Sequence, residues 1–157
     1  MIVEPIGRVE SSRTQAIDDD WGAVIATIAL DAQKFSPDSL AGLSEFSHVE
    51  VVFVFDGVDP DDIDHGARHP RGNTGWPRVG IFAQRAKMRP NRLGVTVCAL
   101  LGIDGLTLTV QGLDAINGTP VLDIKPYMAE FGPRGDVHQP AWSRELMAGY
   151  WTRPEGV

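Results

Sequence analysis

Residues 48–55 read His-Val-Glu-Val-Val-Phe-Val-Phe, and that run restricts the fold more than any other stretch. β-branched and aromatic side chains fill it, and eight residues suit a strand better than a helix. Val49, Val51, Phe53 and Phe55 fall on one face and Val52 and Val54 on the other, with only Glu50 breaking the second face. Such a strand is expected to be buried on nearly both sides, and so to lie inside a sheet. Residues 106–112 alternate more cleanly: Leu106, Leu108 and Val110 share one face, Thr107, Thr109 and Gln111 the other. Short apolar runs at 2–10, 23–30, 78–84, 94–103 and 119–124 bring the set to about seven strands. Gly and Pro punctuate them, as an all-β barrel or sandwich requires, and Asp104-Gly105 between two apolar runs predicts a hairpin turn.

Helices are few. Ser36-Pro37 combines an N-cap residue with a proline at the first helical position and predicts one or two turns. Trp142, Leu146, Met147, Tyr150 and Trp151 recur at near-helical spacing and predict a C-terminal helix. Residues 65–77 have no periodicity. The expectation is one mainly-β domain over residues 1–157, a small barrel with a long basic loop and a terminal helix.

Charge is unevenly placed. The chain of 157 residues carries a formal net charge of −7, yet no acid occurs from His65 to Ile103. That stretch holds Arg68, Arg71, Arg78, Arg85, Lys87, Arg89 and Arg92. A local basic patch on an acidic protein fits focused binding of an anion; scattered arginines on a solvated loop are the plainer alternative. Arg85 is expected at the end of the 78–84 strand. Beyond it, Pro90 fixes its own φ and pushes Arg89 towards extended geometry. A second polar cluster falls in 111–127, where Asp114, Asn117, Asp123 and Lys125 sit in apolar company and Asn117-Gly118 predicts a tight turn. Asp123 and Lys125 are two apart on a strand, so they share a face. They either serve a site or simply pair at a strand end.

Several chemistries lack their residues. Glycine-rich dinucleotide and phosphate-loop fingerprints are absent, as is a nucleophile elbow. The single cysteine, Cys98, excludes an intramolecular disulfide and reads as a small buried residue. His48, His65, His69 and His138 have no metal-ligand spacing, so no metal is expected. No basic region precedes an apolar core at the N-terminus, and no apolar run approaches a membrane span, so a cytoplasmic protein with no membrane partner is expected.

Three blocks carry a family resemblance: Phe-Ser-His-Val-Glu-Val-Val-Phe-Val-Phe (46–55), the segment 79–103 with its Arg89-Pro90-Asn91, and Gly-Leu-Asp-Ala-Ile-Asn-Gly-Thr-Pro-Val-Leu-Asp-Ile-Lys-Pro-Tyr (112–127). Together with Glu-Pro-Ile-Gly-Arg-Val-Glu-Ser at 4–11 they resemble the TsaA/TrmO-like family and cover most of residues 3–127. The resemblance implies a small β-barrel S-adenosyl-L-methionine-dependent methyltransferase, acting as a homodimer with the cofactor near the subunit interface. It implies as substrate a tRNA whose anticodon loop carries N6-threonylcarbamoyladenosine, methylated at N6. It points to Phe55, Asp56, Gly57, Arg85, Val95, Leu113, Asp114, Ala115 and Ile116 for the cofactor, and leaves any catalytic base unassigned. The chain departs from the family pattern in three places, one of them the missing long C-terminal extension of some bacterial members. Arg92-Leu93 replaces Pro-Ile after Arg-Pro-Asn, and Asp-Asp-Asp-Trp-Gly (18–22) stands where the family has a cofactor-contacting Pro-Arg-Gln.

On this reading Lys87, Arg89, Asn91 and Arg92, with Asp123 and Lys125, would face the anionic acceptor, since arginine suits bidentate anion contact. Two other readings use the same barrel: a methyltransferase for small molecules, and a cofactor-binding regulatory module without catalysis.

Overall fold

The computed structural model describes residues 2–152. Its strands are β1 (Gly7–Ser11), β2 (Ile25–Leu30), β3 (His48–Val54), β4 (Ala67–Arg68), β5 (Val79–Gly80), β6 (Leu93–Asp104), β7 (Thr107–Gln111) and β8 (Pro120–Pro126), followed by one helix, α1 (Ala141–Met147). Six strands close into an antiparallel barrel in the order β1-β2-β7-β6-β3-β8, and β4 and β5 form a separate two-stranded ribbon. Closure rests on a narrow seam, in which β1 meets β8 only at Gly7–Val121 and Arg8–Pro120. Ile6 N–H donates to Val121 O at 2.8 Å and Val9 N–H to Thr119 O at 3.0 Å, which extend that seam slightly.

Alternation builds the core. Val9, Ile28, Val49, Val51, Phe53, Cys98, Leu108, Val110 and Val121 all point inward and are buried. On the outer face of β3, Glu50, Val52 and Val54 remain half-buried. Residues 48–55 therefore have one core face rather than two. Gly94 is required by the packing: a Cβ there would lie 2.4 Å from the Phe53 ring. Phe53 is 1 % exposed, and its removal would cost about 3–5 kcal/mol.

The β6–β7 hairpin turns at Gly105-Leu106, with Asp104 opposite Thr107 and Gly105 at φ +56°. A positive φ at the first central position is what a two-residue hairpin loop asks of glycine. Two predicted elements change character. Residues 37–40 and 43–45 form separate 3-10 turns, and Ser36 makes no side-chain cap. Residues 78–84 do not join the barrel. Only Val79–Gly80 is extended, and Ile81–Ala83 then coil into a 3-10 turn. The reason is local: Ile81 is buried and its N–H donates to Gly66 O at 2.9 Å, and the buried Gln84 amide donates to Val79 O at 3.0 Å. The long basic loop is thereby folded rather than open. His69 Nδ1 bonds Trp76 O at 2.7 Å within it.

The strand registers set the functional geography. One rim collects the ends of β1, β3 and β7 and the starts of β2, β6 and β8, so loops 12–24, 55–92 and 112–119 all open there. The opposite rim carries an apolar groove lined by residues such as Ile6, Phe35, Leu40, Leu43, Phe46 and Ile124, with no titratable side chain among them.

Candidate functional site

β6 makes the site possible because it is longer than its neighbour. β7 pairs with it only from Ala99 to Asp104, so the edge of residues 93–98 is left without a strand on that side. Two side chains from other segments fill the gap. Arg85 Nη2 donates to Val95 O at 2.6 Å. Asp114, on the loop after β7, accepts from the Thr96 hydroxyl through Oδ1 and from the Tyr150 hydroxyl through Oδ2 at 2.5 Å. Each carboxylate oxygen retains an acceptor lone pair, and Arg85 uses one of its five N–H groups among the described residues.

The fold brings the predicted cofactor residues to this rim from four segments. Phe55 continues the end of β3, half-buried, with its N–H donating to Arg92 O at 2.8 Å and its ring edge-on to Phe53 at 5.3 Å. Asp56 and Gly57 follow it along the loop, with Gly57 exposed. Nothing lies within 4 Å of a Cβ built at Gly57, so space does not demand glycine there. Val95 lies on the outer face of β6. Leu113 and Ala115 are buried in the barrel core at 0 % and 3 % exposure, which leaves only their backbone for a ligand; Asp114 and Ile116 stay half-buried.

The basic corner differs from its sequence reading in three respects. Arg85 is on a loop after a 3-10 turn rather than at a strand end. Arg89 is extended, as proline at the next position dictates, and its Nη1 donates to Gln84 O at 3.0 Å. Arg92 Nη1 donates to Val58 O at 2.9 Å, so this side chain braces the 56–64 loop. Asn91 and Arg92 both adopt left-handed backbone, at φ +63° and +53°. Proline, held near −65°, could not take the place of Arg92 in this conformation. Lys87 is half-buried. Asp123 and Lys125 lie along β8 on the outer wall, paired to one another, opposite Val52 and Glu50. They are not brought to the rim.

Sequence reasoning gave no site role to several participants. Thr96 is a polar residue on the inward face of β6, between Gly94 and Cys98, and that break in an apolar face was its available signal. The 18–22 segment is pinned by Arg13, which donates to Asp19 O at 2.5 Å and Asp20 O at 2.8 Å and lies 4.0 Å over the Trp21 ring. Arg71 pairs with Asp19 at 2.8 Å and ties the basic loop to the same segment. Tyr150 arrives from beyond α1: the helical spacing places it and Trp151 in the C-terminal helix, but that helix ends at Met147, and nothing in the spacing points to a role at the site. Burial first, then the charge of Asp114 and the hydrogen bond to it, push the Tyr150 phenol well above its ordinary value, against a smaller opposing pull from Arg85. Burial, with Asp114 second, pushes the Cys98 thiol up to about 12. No cluster of three His, Cys, Asp or Glu residues among those described could hold a metal ion. No described helix is long and apolar enough to cross a membrane.

A closed antiparallel barrel with a polar cluster at one rim, assembled from loops rather than from a glycine-rich turn, defines a small closed β-barrel domain. The chain belongs to the family described as the tRNA-methyltransferase O N-terminal domain, whose model matches residues 18–132. Two crystal structures of TrmO from Pseudomonas aeruginosa resemble it with TM-scores of 0.72 and 0.70 and identities of 28% and 31%. They cover 90% and 88% of this chain, which spans 61% and 60% of theirs. A tRNA (adenine(37)-N6)-methyltransferase of Rattus norvegicus is 35% identical over 138 residues, covering 83% of this chain and 32% of that protein. The Escherichia coli protein of the same description is 38% identical over 97 residues, covering 58% of this chain and 40% of its own length. The chain thus spans well under two thirds of these two curated relatives.

Proposed function

We propose that the protein is an S-adenosyl-L-methionine-dependent methyltransferase that modifies N6 of the threonylcarbamoyl-adenine beside a tRNA anticodon, in the cytoplasm. One observation supports the reading: Arg85 and Asp114, both picked out by family likeness, bond to Val95 and Thr96 on the open edge of β6, at the rim where Phe55 ends β3. The donor set fits the cofactor. Asp114 offers carboxylate lone pairs to a cationic group, Arg85 offers spare N–H donors to a carboxylate, and the β6 edge and the 113–116 backbone offer polar groups to a purine. When bound, the cofactor supplies an electrophilic methyl group.

The chain's own part is positioning. Methyl transfer needs nucleophile and carbon held in line at about 3–3.5 Å, and orientation supplies much of the rate. The acceptor N6–H is acidified by the adjoining carbonyl, so a weak base or water suffices, which agrees with a rim that carries no histidine in a catalytic pairing among the described residues. Lys87 and the charge of Arg89 and Arg92 favour an anticodon-loop phosphate beside the rim. Incubation with labelled donor and tRNA, followed by nucleoside mass spectrometry, tests the reading. Label in methylated threonylcarbamoyl-adenosine is expected. Label only in small molecules, or donor binding without transfer, would favour the two other uses of the barrel.

The reading includes a homodimer. Leu93, Val95 and Val97 form an exposed apolar row on the outer face of β6, flanked across β3 by Val52 and Val54. Glu50, Asp123 and Lys125 border it with both signs of charge. A face carrying both signs can pair with itself across a two-fold axis.

A further inference from the structure

The segment 141–151 lies beyond the matched family region of residues 18–132, yet it reaches the centre of the site. Two backbone hydrogen bonds lay it alongside the 18–22 segment: Asp20 N–H to Gly149 O at 3.1 Å and Trp21 N–H to Tyr150 O at 2.9 Å. Gly22 permits that approach, since a Cβ there would fall 1.8 Å from the Trp151 carbonyl oxygen. Trp76 Nε1 donates to Glu145 at 2.7 Å and fastens α1 to the basic loop. Trp151 packs edge-on to Tyr150 at 4.9 Å. The outcome of these contacts is one placement: the Tyr150 hydroxyl on Asp114 Oδ2, opposite the Thr96 hydroxyl on Oδ1.

We infer that Tyr150 is a positioning residue of the donor site, holding the Asp114 carboxylate in one orientation, and that segment 141–151 is the wall that closes this rim. The inference rests on the proposed donor site. A carboxylate on a loop turns freely about its last torsion; two hydroxyl donors from opposite sides remove that freedom before a ligand arrives. Preorganisation of this kind acts on affinity by lowering the ordering cost of binding. Tyr150 suits the part because burial keeps its proton in place, so its oxygen is always a donor to Asp114. A phenylalanine would keep the ring, its packing on Trp151 and the backbone bonds, and lose only that donor.

The test is Tyr150→Phe in the full chain, with S-adenosylhomocysteine as the calorimetric probe and melting measured in parallel. We expect a loss of affinity of about tenfold, near 1.4 kcal/mol, a matching rise in the KM for the methyl donor, and no change in the KM for tRNA. In an Asp114→Asn background the same substitution should cost less than about twofold, because the two residues act as one unit. Unchanged affinity in Tyr150→Phe, with the wild type binding, overturns the positioning role. A melting shift alone, with equal affinity, makes Tyr150 a fastening of the C-terminal segment and overturns it too. Equal losses in both backgrounds show that Tyr150 acts independently of Asp114, which likewise overturns the positioning role. A wild-type protein that binds no S-adenosylhomocysteine removes the donor site itself, and the inference with it.

Discussion

Arg92 has a charge that suits an anion and a place in the fold that gives it other work. Its Nη1 is bonded to Val58 O and its backbone is left-handed, as is that of Asn91. Left-handed geometry costs a side-chain-bearing residue roughly 1–2 kcal/mol, so the surrounding bonds must over-determine it. Arg92→Ala keeps that strain and loses the brace. It should lower stability by about 0.5–1.5 kcal/mol in urea unfolding, with the 56–64 loop becoming more open to proteolysis. Cys98 makes a prediction in pH. Its folded thiol titrates at about 12 against an ordinary value of 9.0, so the unfolded chain releases this proton first as pH rises. Stability is intact below about pH 9 and should fall through the window up to about 12, by at most about 1.4 kcal/mol per pH unit. Tyr150 shifts in the same direction and adds to the loss at the top of that range. In Cys98→Ala the decline should begin later, at the ordinary tyrosine range. An unchanged onset would mean that Cys98 is not the group responsible.

At the scale of elements, the strands that alternate were legible and the segment that does not alternate was misread. Residues 48–54, 94–104, 107–111 and 120–126 all lie in barrel strands, because burial on one face writes a period of two into the sequence. Residues 78–84 had the apolar content of a strand, but Ile81 and Gln84 are buried and hydrogen-bond within their own loop, to Gly66 O and Val79 O, and composition does not reveal which partner a buried residue will find. Asn117-Gly118 was legible as a turn: Gly118 is at φ +85° and Thr119 N–H returns to Ile116 O at 3.2 Å. The turn docks on β1 instead of joining paired strands. Asn117 Oδ1 accepts from Ser11 N–H, and Gly118 O accepts from Arg8. The site itself was legible only through family likeness, since Asp114 and Thr96 are 18 residues apart and no spacing rule connects them. Gly94 offers a test of the packing. A methyl group there must displace the Phe53 ring, so Gly94→Ala should destabilise the barrel by about 1–3 kcal/mol. Combination with Phe53→Leu should recover part of that loss in the same unfolding measurement.

For the whole molecule, the outer wall and the rim make separable predictions. Val97→Glu places a second carboxylate opposite Glu50 in the apolar row of β6 and β3. If the wild type forms the proposed dimer, light scattering should then report a monomer, and an unchanged mass would remove this face as the interface. Lys87→Ala tests the rim, because Arg85, Arg89 and Arg92 each spend a donor on a backbone carbonyl while the Lys87 ammonium has no hydrogen bond or ion pair among the described residues. The dependence of log affinity for tRNA on log salt should flatten by about one unit of charge, and donor affinity should be unaffected. The narrow join between β1 and β8 bears on something different, the order in which the molecule is made. Arg8 and Gly118, bonded across that join at 2.8 Å, are 110 residues apart. The first of the barrel strands to leave a ribosome is therefore the last to find its place, because one of its two neighbouring strands is synthesised only after the other five. Until then β1 can form a hairpin with β2 but cannot complete a cylinder. Contacts so distant in sequence slow folding, so emergence of β8, rather than of the N-terminal half, is the event that lets this barrel shut.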